Sequence, residues 1–173
     1  MSLHPIRPRL GVDVGRVLVG AIDEAGHADT SFLSGSDEHA LSTPPEAGAL
    51  DAVRALCAAF EGEVWIVSKC GPRIEALTRR WLARHGFVGP GVVRGDRLRF
   101  VRKRPEKRGV AVDLRLTHFV DDRLDVLEPM VSLVPYLYRF GRTHHPCPAW
   151  ASPVLDWARA RPAIERTLAE AAW

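Results

Sequence analysis

Side chains that could bind a metal and a phosphate stand directly after apolar segments of this sequence. Asp13 follows LGV, Ser68 follows EVWIV, and Asp121 and Asp122 follow THFV. Carboxylate oxygens are ligands that suit Mg²⁺. A carboxylate can attack an anionic phosphoryl group once a metal and a second cation offset the repulsion. Basic residues between positions 97 and 108 could supply that cation, so these residue types would suit a magnesium and phosphate site.

Such a site requires that the segments before these residues be strands of one sheet. Apolar runs alternate with segments whose apolar residues have helical spacing, which is typical of an α/β protein with a mostly parallel sheet. In such a sheet ligands bind outside the carboxyl ends of the strands, where Asp13, Ser68 and Asp121 would meet. Strands are predicted at Arg9–Val14, Glu63–Val67, Val92–Val93, Leu98–Val101, Thr117–Val120 and Ser132–Phe140, and helices at Glu46–Phe60, Pro72–His85, Pro105–Leu116, Leu124–Met130 and Pro153–Ala172. We therefore expect a three-layer α/β/α, Rossmann-like fold.

The length of the chain is that of one domain. We expect residues 1–173 to form a single unit, with a C-terminal helix within residues 151–173 packed on the rest. Residues 23–45 are rich in Gly, Ser, Asp, His and Pro without a clear period, which predicts a loop or a small flap over the site. A second loop, Gly141–Ser152, follows the last predicted strand and would lie at the same edge of the sheet.

The order of these motifs resembles that of the haloacid dehalogenase-like (HAD-like) superfamily. Its first motif is similar to LGVDVGRV around Asp13 and its second to VWIVSKC around Ser68. Its third motif is a lysine, and its fourth is similar to THFVDDRLD around Asp121. The resemblance spans Leu10–Phe140 and implies a HAD-like fold with a minimal cap. It also implies a Mg²⁺-dependent hydrolase of the phosphatase type, in which Asp13 forms an aspartyl-phosphate with a small phosphorylated substrate.

The resemblance implies roles for further residues. The metal would be held by Asp13, Asp121, Asp122 and the main-chain carbonyl of Gly15, and the substrate would be contacted by Ser68, Lys69 and Arg16. Lys107 would orient the nucleophile because it opens the helix before the acidic strand, although Lys103 lies close enough in sequence to be the alternative. Arg16 could instead point into solvent and pair with an acidic neighbour. Asp125 would either belong to the acidic motif or remain a capping or solvated residue.

Gly15 departs from the pattern of the phosphatases in this superfamily. They carry a second aspartate two residues after the nucleophile, and it protonates the leaving group. General acid catalysis of this kind is worth about 10²–10⁴-fold in rate. Dehalogenases, phosphonatases and ion-pumping ATPases of the superfamily also lack that aspartate, so hydrolysis through Asp13 is one interpretation. The alternative is a catalytically impaired HAD-like domain that acts as a metal-binding, phosphate-binding or regulatory module.

Composition narrows the class of partner. The net charge of +3 and the isoelectric point near 9.0 come mostly from arginine. Phe100 is the one aromatic residue within the basic run, which argues against base stacking with nucleic acid.

Cysteine usage and hydropathy indicate the compartment. Cys57, Cys70 and Cys147 are odd in number and widely spaced, which favours reduced thiols. The sequence shows neither a long apolar run nor a signal-peptide pattern, so we expect a cytoplasmic protein and no membrane partner. The HHPC segment at residues 144–147 could bind zinc but lacks a fourth ligand. The oligomeric state stays open.

Overall fold

The computed structural model describes residues 7–20 and 36–171. Within them the chain forms a six-stranded parallel sheet in the order β3-β2-β1-β4-β5-β6. The strands are β1 (Leu10–Val12), β2 (Val64–Lys69), β3 (Leu98–Val101), β4 (His118–Asp121), β5 (Tyr136–Phe140) and β6 (Ser152–Val154). The helices are α1 (Asp37–Ser42), α2 (Ala49–Ala59), α3 (Pro72–Arg84), α4 (Glu106–Asp113), α5 (Leu124–Leu127) and α6 (Trp157–Glu170), with 3₁₀ helices at Gly95–Arg97 and Glu128–Met130. The predicted Rossmann-like α/β fold is confirmed.

Apolar side chains fill both faces of the sheet, as a three-layer arrangement requires. On one face Leu10 belongs to a core with α2, α3 and α6, whose buried members include Trp81 and Trp157. On the other face Phe119 packs in a core with Val126 of α5 and with residues of α4. Strands covered on both faces need apolar side chains in both directions, so β1 is a continuous apolar run, and Phe119 and Val120 of β4 are buried.

The register of the central strands brings the candidate residues to one edge. Val12 of β1 pairs with Ile66 of β2 on one side and with Val120 of β4 on the other. The backbone N–H of Asp13 donates to the Val120 carbonyl at 3.0 Å, which holds Asp13 beside the end of β4. Strand order reverses between β1 and β4, and ligands bind at such a switch point in open α/β sheets.

Several predicted element bounds were wrong. Pro153 lies in β6 and not in the final helix, which begins at Trp157 after the Asp156 side chain accepts a hydrogen bond from the Arg159 N–H. Proline cannot donate to a strand ladder, so it is tolerated on an edge strand such as β6. Residues 92–93 form no strand, and Val93 makes only an isolated bridge with Val88. β5 begins at Tyr136 and not at position 132, because the preceding residues form a turn.

The predicted flap at residues 23–45 lies partly outside the described residues, since 21–35 are not among them. Residues 37–42 form helix α1 where a loop was predicted. The indole N–H of Trp81 donates to the Thr43 carbonyl at 2.8 Å, and His85 Nε2 lies 2.9 Å from the Leu41 carbonyl oxygen. The described part of the predicted flap is therefore a helical segment packed on α3.

Candidate active site

A buried lysine connects the residues that follow β1 with those at the end of β4. Lys107 Nζ lies 2.8 Å from Asp13 Oδ1 and 2.8 Å from Asp121 Oδ2. Only 3% of the Lys107 side chain and none of the Asp121 side chain is exposed. Lys107 stands in the first turn of α4, which begins after Pro105, a residue suited to a helix start. The structure thus places Lys107 against Asp13, whereas Lys103 is exposed.

Three carboxylates meet around this lysine. One oxygen each of Asp13, Asp121 and Asp122 lies within 4.8 Å of the others. The second oxygen of Asp121 accepts a hydrogen bond from the Arg123 backbone N–H at 3.0 Å. Asp122 Oδ2 lies 3.6 Å from the guanidinium of Arg16, whose side chain is 49% exposed. The cluster therefore combines three acidic side chains with one buried and one half-exposed cation.

Burial and mutual repulsion disturb the titration of this cluster. Burial raises the pKa of Asp121 to about 8, the charge of Asp13 adds to the increase, and Lys107 opposes it. The pKa of Asp122 is also raised, first by burial and then by Asp13. Burial alone would lower the pKa of Lys107, but the charges of Asp13 and Asp121 outweigh it and raise that pKa. Fully ionised, the three carboxylates would carry one more negative charge than Lys107 and Arg16 offset, and a bound divalent cation would favour that ionised state.

The donor set fits Mg²⁺. Within residues 7–20 and 36–171, Asp13, Asp121 and Asp122 are the one group of three or more acidic, His or Cys side chains close enough to share a metal ion. Two oxygens bound to one Mg²⁺ lie at most about 4.2 Å apart, since each is about 2.1 Å from the ion. The bound of 4.8 Å on the observed separations is close to this limit, and a small rotation of the partly exposed Asp122 or a bridging water would accommodate the difference.

The turn after Asp13 is tightly hydrogen-bonded. The Val14 carbonyl accepts from the N–H groups of Val17, Leu18 and Val19 at 3.2, 2.9 and 3.1 Å. Arg16 has a φ of 58°, which is uncommon for a residue with a side chain, and its N–H donates to the Val19 carbonyl at 2.7 Å. This conformation presents Arg16 to Asp122 at the edge of the cluster.

The C-terminal helix supports this turn. The indole N–H of Trp157, at the start of α6, donates to the Val17 carbonyl at 2.7 Å. Trp157 is 1% exposed and stacks at an angle against Phe140. Sequence reasoning missed the contact with Val17, because it predicted only that a C-terminal helix packs on the domain. Nothing in the sequence pattern links two residues that are this far apart along the chain.

The remaining predicted substrate residues lie at the same edge of the sheet. Ser68 near the end of β2 is 7% exposed, and its hydroxyl hydrogen-bonds to no other described residue. Lys69, the last residue of β2, is exposed. α3 starts at Pro72, a few residues further on, and the N-terminus of a helix favours anions. Gly15 lies exposed in the turn after Asp13, and its carbonyl accepts no hydrogen bond from another described residue.

Other charged residues that the sequence singled out lie outside the cluster. Asp125 is 55% exposed and pairs with Arg123 at 2.8 Å, which also lowers the pKa of Asp125. Two cations of the basic run pair with carboxylates and have little exposed surface. Arg97 pairs with Glu63 at 2.7 Å, and both residues precede strands at the opposite edge of the sheet. Lys107, from the same run, is buried in the acidic cluster.

The other predicted features concern cysteine, histidine and membrane segments. His144 and His145 are exposed, and among the described residues neither belongs to a group able to hold a metal. Cys147 Sγ instead contacts the Ala151 carbonyl at 3.4 Å. All three cysteines are free. No helix within the described ranges has the length and apolarity needed to cross a bilayer.

Comparison with known proteins adds no relative to this description. The chain matches no protein-family model, and no curated protein matches it. Folds of this architecture host many unrelated activities. Function is therefore inferred from the chemistry of the acidic cluster and its surroundings.

Proposed function

We propose that the protein is a Mg²⁺-dependent, phosphatase-type hydrolase of the HAD-like kind, with Asp13 as its nucleophile. The observation that carries this proposal is the position of Asp13. It is in contact with the buried Lys107 and within 4.8 Å of the carboxylates of Asp121 and Asp122. The cluster lies at the carboxyl edge of a parallel sheet, beside the point where strand order reverses.

The charge balance of the cluster supports a ligand-binding role over a purely structural one. A buried lysine that only stabilised the fold would need one carboxylate partner, since buried pairs tend to break even against desolvation. Lys107 instead contacts two carboxylates, and Asp122 stands beside them. Such an excess of buried negative charge is costly unless a cation offsets it. Clusters with perturbed pKa values in this arrangement are typical of functional sites.

Each residue of the cluster has a task in phosphoryl transfer. Asp13 would attack phosphorus. Lys107 would orient Asp13 through its contact with Oδ1 and would offset part of the negative charge of the carboxylates. Bound Mg²⁺ would offset the charge of the phosphoryl oxygens as they approach the carboxylate. The hydroxyl of Ser68 and the N-terminus of α3 would donate hydrogen bonds to those oxygens. Asp121 and Asp122 would hold the metal.

A second candidate function is a binding or regulatory module. The feature that favours it is Gly15, because no described carboxyl group occupies the turn beside the nucleophile. Such a module would bind Mg²⁺ and phosphate through the same residues without turnover. The two candidates therefore differ in catalysis and not in metal binding.

The substrate would be a small phosphorylated molecule, and the protein would work in the cytoplasm. Its three cysteines form no disulfide, which supports a reducing compartment. Within the run at 97–108, Arg97 pairs with Glu63 and Lys107 is buried in the cluster. Two of the cations in the run are therefore engaged by carboxylates and do not contribute to a basic surface for nucleic acid.

Hydrolysis of p-nitrophenyl phosphate with and without Mg²⁺ tests the proposal. The Asp13→Asn variant, purified in parallel, measures contaminating phosphatase. Asp125→Asn is the matched control, because Asp125 is an exposed carboxylate outside the cluster. We expect turnover that requires Mg²⁺, is lost in Asp13→Asn and persists in Asp125→Asn. Mg²⁺ binding detected by calorimetry without turnover above the Asp13→Asn background would instead support the binding module.

A further inference from the structure

The turn after Asp13, residues 14–19, accepts a hydrogen bond from the C-terminal helix. The indole N–H of Trp157 donates to the Val17 carbonyl at 2.7 Å. Trp157 is 1% exposed and Val17 is 0% exposed, so water has little access to this bond. A buried backbone carbonyl is costly to leave without a donor. The bond therefore constrains the turn at a point four residues after the candidate nucleophile.

Contacts at both ends of α6 hold the indole in place. At the start of the helix the ring of Trp157 packs against Phe140 of β5, with the ring centroids 5.3 Å apart. Near the other end, the Thr167 hydroxyl is hydrogen-bonded to the Tyr138 hydroxyl and lies 3.2 Å from His118 Nε2. Tyr138 belongs to β5 and His118 to β4. The helix is thus fixed to the sheet whose edge carries the acidic cluster.

The turn links the indole to that cluster. The Val17 N–H donates to the Val14 carbonyl at 3.2 Å, and the Arg16 N–H donates to the Val19 carbonyl at 2.7 Å. The guanidinium of Arg16 lies 3.6 Å from Asp122 Oδ2. Arg16 has a φ of 58°, and such a conformation persists only where the surrounding structure holds it. A displacement of Val17 would therefore move Arg16 relative to Asp122.

We infer that Trp157 is a positioning residue of the proposed metal site. It keeps the turn in the shape that orients Arg16 and Asp122 for Mg²⁺ binding, and it acts through the Val17 carbonyl. This inference rests on the proposed function and adds to it a residue of the C-terminal helix. Outer partners that orient metal ligands typically contribute about 10–100-fold to metal affinity or activity.

Trp157→Phe removes the N–H donor and keeps an aromatic ring, and Trp81→Phe is its matched control. Trp81 is also buried, and its indole N–H donates to the backbone carbonyl of Thr43, outside the turn, at 2.8 Å. Each variant loses a buried hydrogen bond of the same kind, so both should unfold at lower urea concentrations than the wild type. Calorimetry should show that the dissociation constant for Mg²⁺ rises by about 10–100-fold in Trp157→Phe and stays unchanged in Trp81→Phe.

Two further measurements distinguish positioning from a general loss of stability. Hydrogen exchange followed by mass spectrometry should be faster in the peptide that contains residues 14–19 of Trp157→Phe, and unchanged there in Trp81→Phe. In turnover of p-nitrophenyl phosphate by Trp157→Phe, the Mg²⁺ concentration for half the maximal rate should rise, whereas the KM at saturating Mg²⁺ should stay that of the wild type. Where Trp157→Phe does not fold, benzothienylalanine at position 157 gives the same comparison, because sulfur replaces the N–H in a ring of nearly the same shape.

The outcomes separate this inference from the proposed function. The same Mg²⁺ affinity in the wild type and Trp157→Phe, or an equal loss in Trp157→Phe and Trp81→Phe, would overturn the inference and leave the proposed function standing. A wild type with neither Mg²⁺ binding nor Asp13-dependent turnover would overturn both. A loss of Mg²⁺ affinity confined to Trp157→Phe, together with faster exchange in the turn, supports the inference whether or not turnover is detected.

Discussion

Replacing Lys107 by methionine should show how much the stability of the folded protein depends on the buried cation in the acidic cluster. The variant keeps most of the apolar stem of the side chain and removes the ammonium that lies 2.8 Å from both Asp13 and Asp121. Because Lys107 is 3% and Asp121 0% exposed, water has little access to the charge left behind. Breaking a buried ion pair by removing one partner costs about 3–5 kcal/mol of stability. We expect Lys107→Met to lower the free energy of unfolding by about this amount at pH 8 without divalent cations.

The loss of stability should depend on pH because Asp121 loses its negative charge when it binds a proton. Its pKa in the folded protein is about 8, above the value near 3.9 of an unfolded chain. The folded state therefore binds more protons between these values, and the contribution of Asp121 to stability falls as pH rises. At pH 5 Asp121 is protonated, so Lys107 offsets mainly Asp13. The destabilisation by Lys107→Met should be smaller at pH 5 than at pH 8 by at least about 1 kcal/mol.

Urea unfolding at both pH values, in the presence of a chelator, measures these losses. Lys103→Met is the matched control, since Lys103 is exposed and surface substitutions usually change stability by about 0.5 kcal/mol or less. Adding Asp121→Asn to Lys107→Met should restore part of the stability, because both members of the pair are then neutral. A loss below about 1 kcal/mol at pH 8, or equal losses at both pH values, would refute this account of the charge balance.

Three further predictions concern metal affinity, acid stability and packing. Because the pKa of Asp121 is raised, protons compete with Mg²⁺ for its carboxylate. The Mg²⁺ affinity measured by calorimetry should therefore increase from pH 6 to pH 8, and an affinity that does not change with pH would contradict this. Burial lowers the pKa of His118 to about 3, so its contribution to stability should be lost as pH falls from about 6.5 towards 3. In His118→Phe, the free energy of unfolding measured in urea should fall less between pH 6.5 and pH 3 than in the wild type. The same fall in both proteins would show that His118 does not cause it. A Cβ on Gly11 would lie 2.6 Å from the Phe119 ring, so Gly11→Ala should cost about 1–3 kcal/mol in urea unfolding; Gly15→Ala is the control, and equal losses would contradict the packing argument.

The sheet and the edge that carries the acidic cluster were predictable because buried parallel strands leave a strong pattern in the sequence. β1, β2 and β4 are covered on both faces, and apolar residues stand directly before Asp13, Ser68 and Asp121 in the sequence. The carboxyl ends of such strands meet at one edge. The convergence of these residues therefore followed from the order of elements alone.

Elements that depend on tertiary contacts were not predictable in this way. β6 has three residues and a proline on the edge of the sheet, which leaves no periodic signal. α1 is six residues long in a polar segment, and its contacts with α3 include the pair between Asp37 and Arg80 at 3.2 Å. Short helices of this kind owe their stability to packing and not to intrinsic propensity.

The choice of lysine shows the same limit at the level of one side chain. The basic run contains several cations with similar sequence surroundings, and only the orientation of the first turn of α4 directs Lys107 inward. Lys103 lies before the helix and is exposed. Spacing narrowed the choice to two residues, and the three-dimensional position of the helix separates them.

The central claim is that Asp13 becomes phosphorylated, and acid-quenched mass spectrometry tests it most directly. The protein would be mixed with Mg²⁺ and acetyl phosphate, quenched in acid within a single turnover, and digested. We predict one phosphoryl group on the peptide that contains Asp13, present in the wild type and absent from Asp13→Asn. Phosphate release without such an adduct, or an adduct on another residue that persists in Asp13→Asn, would contradict the claim.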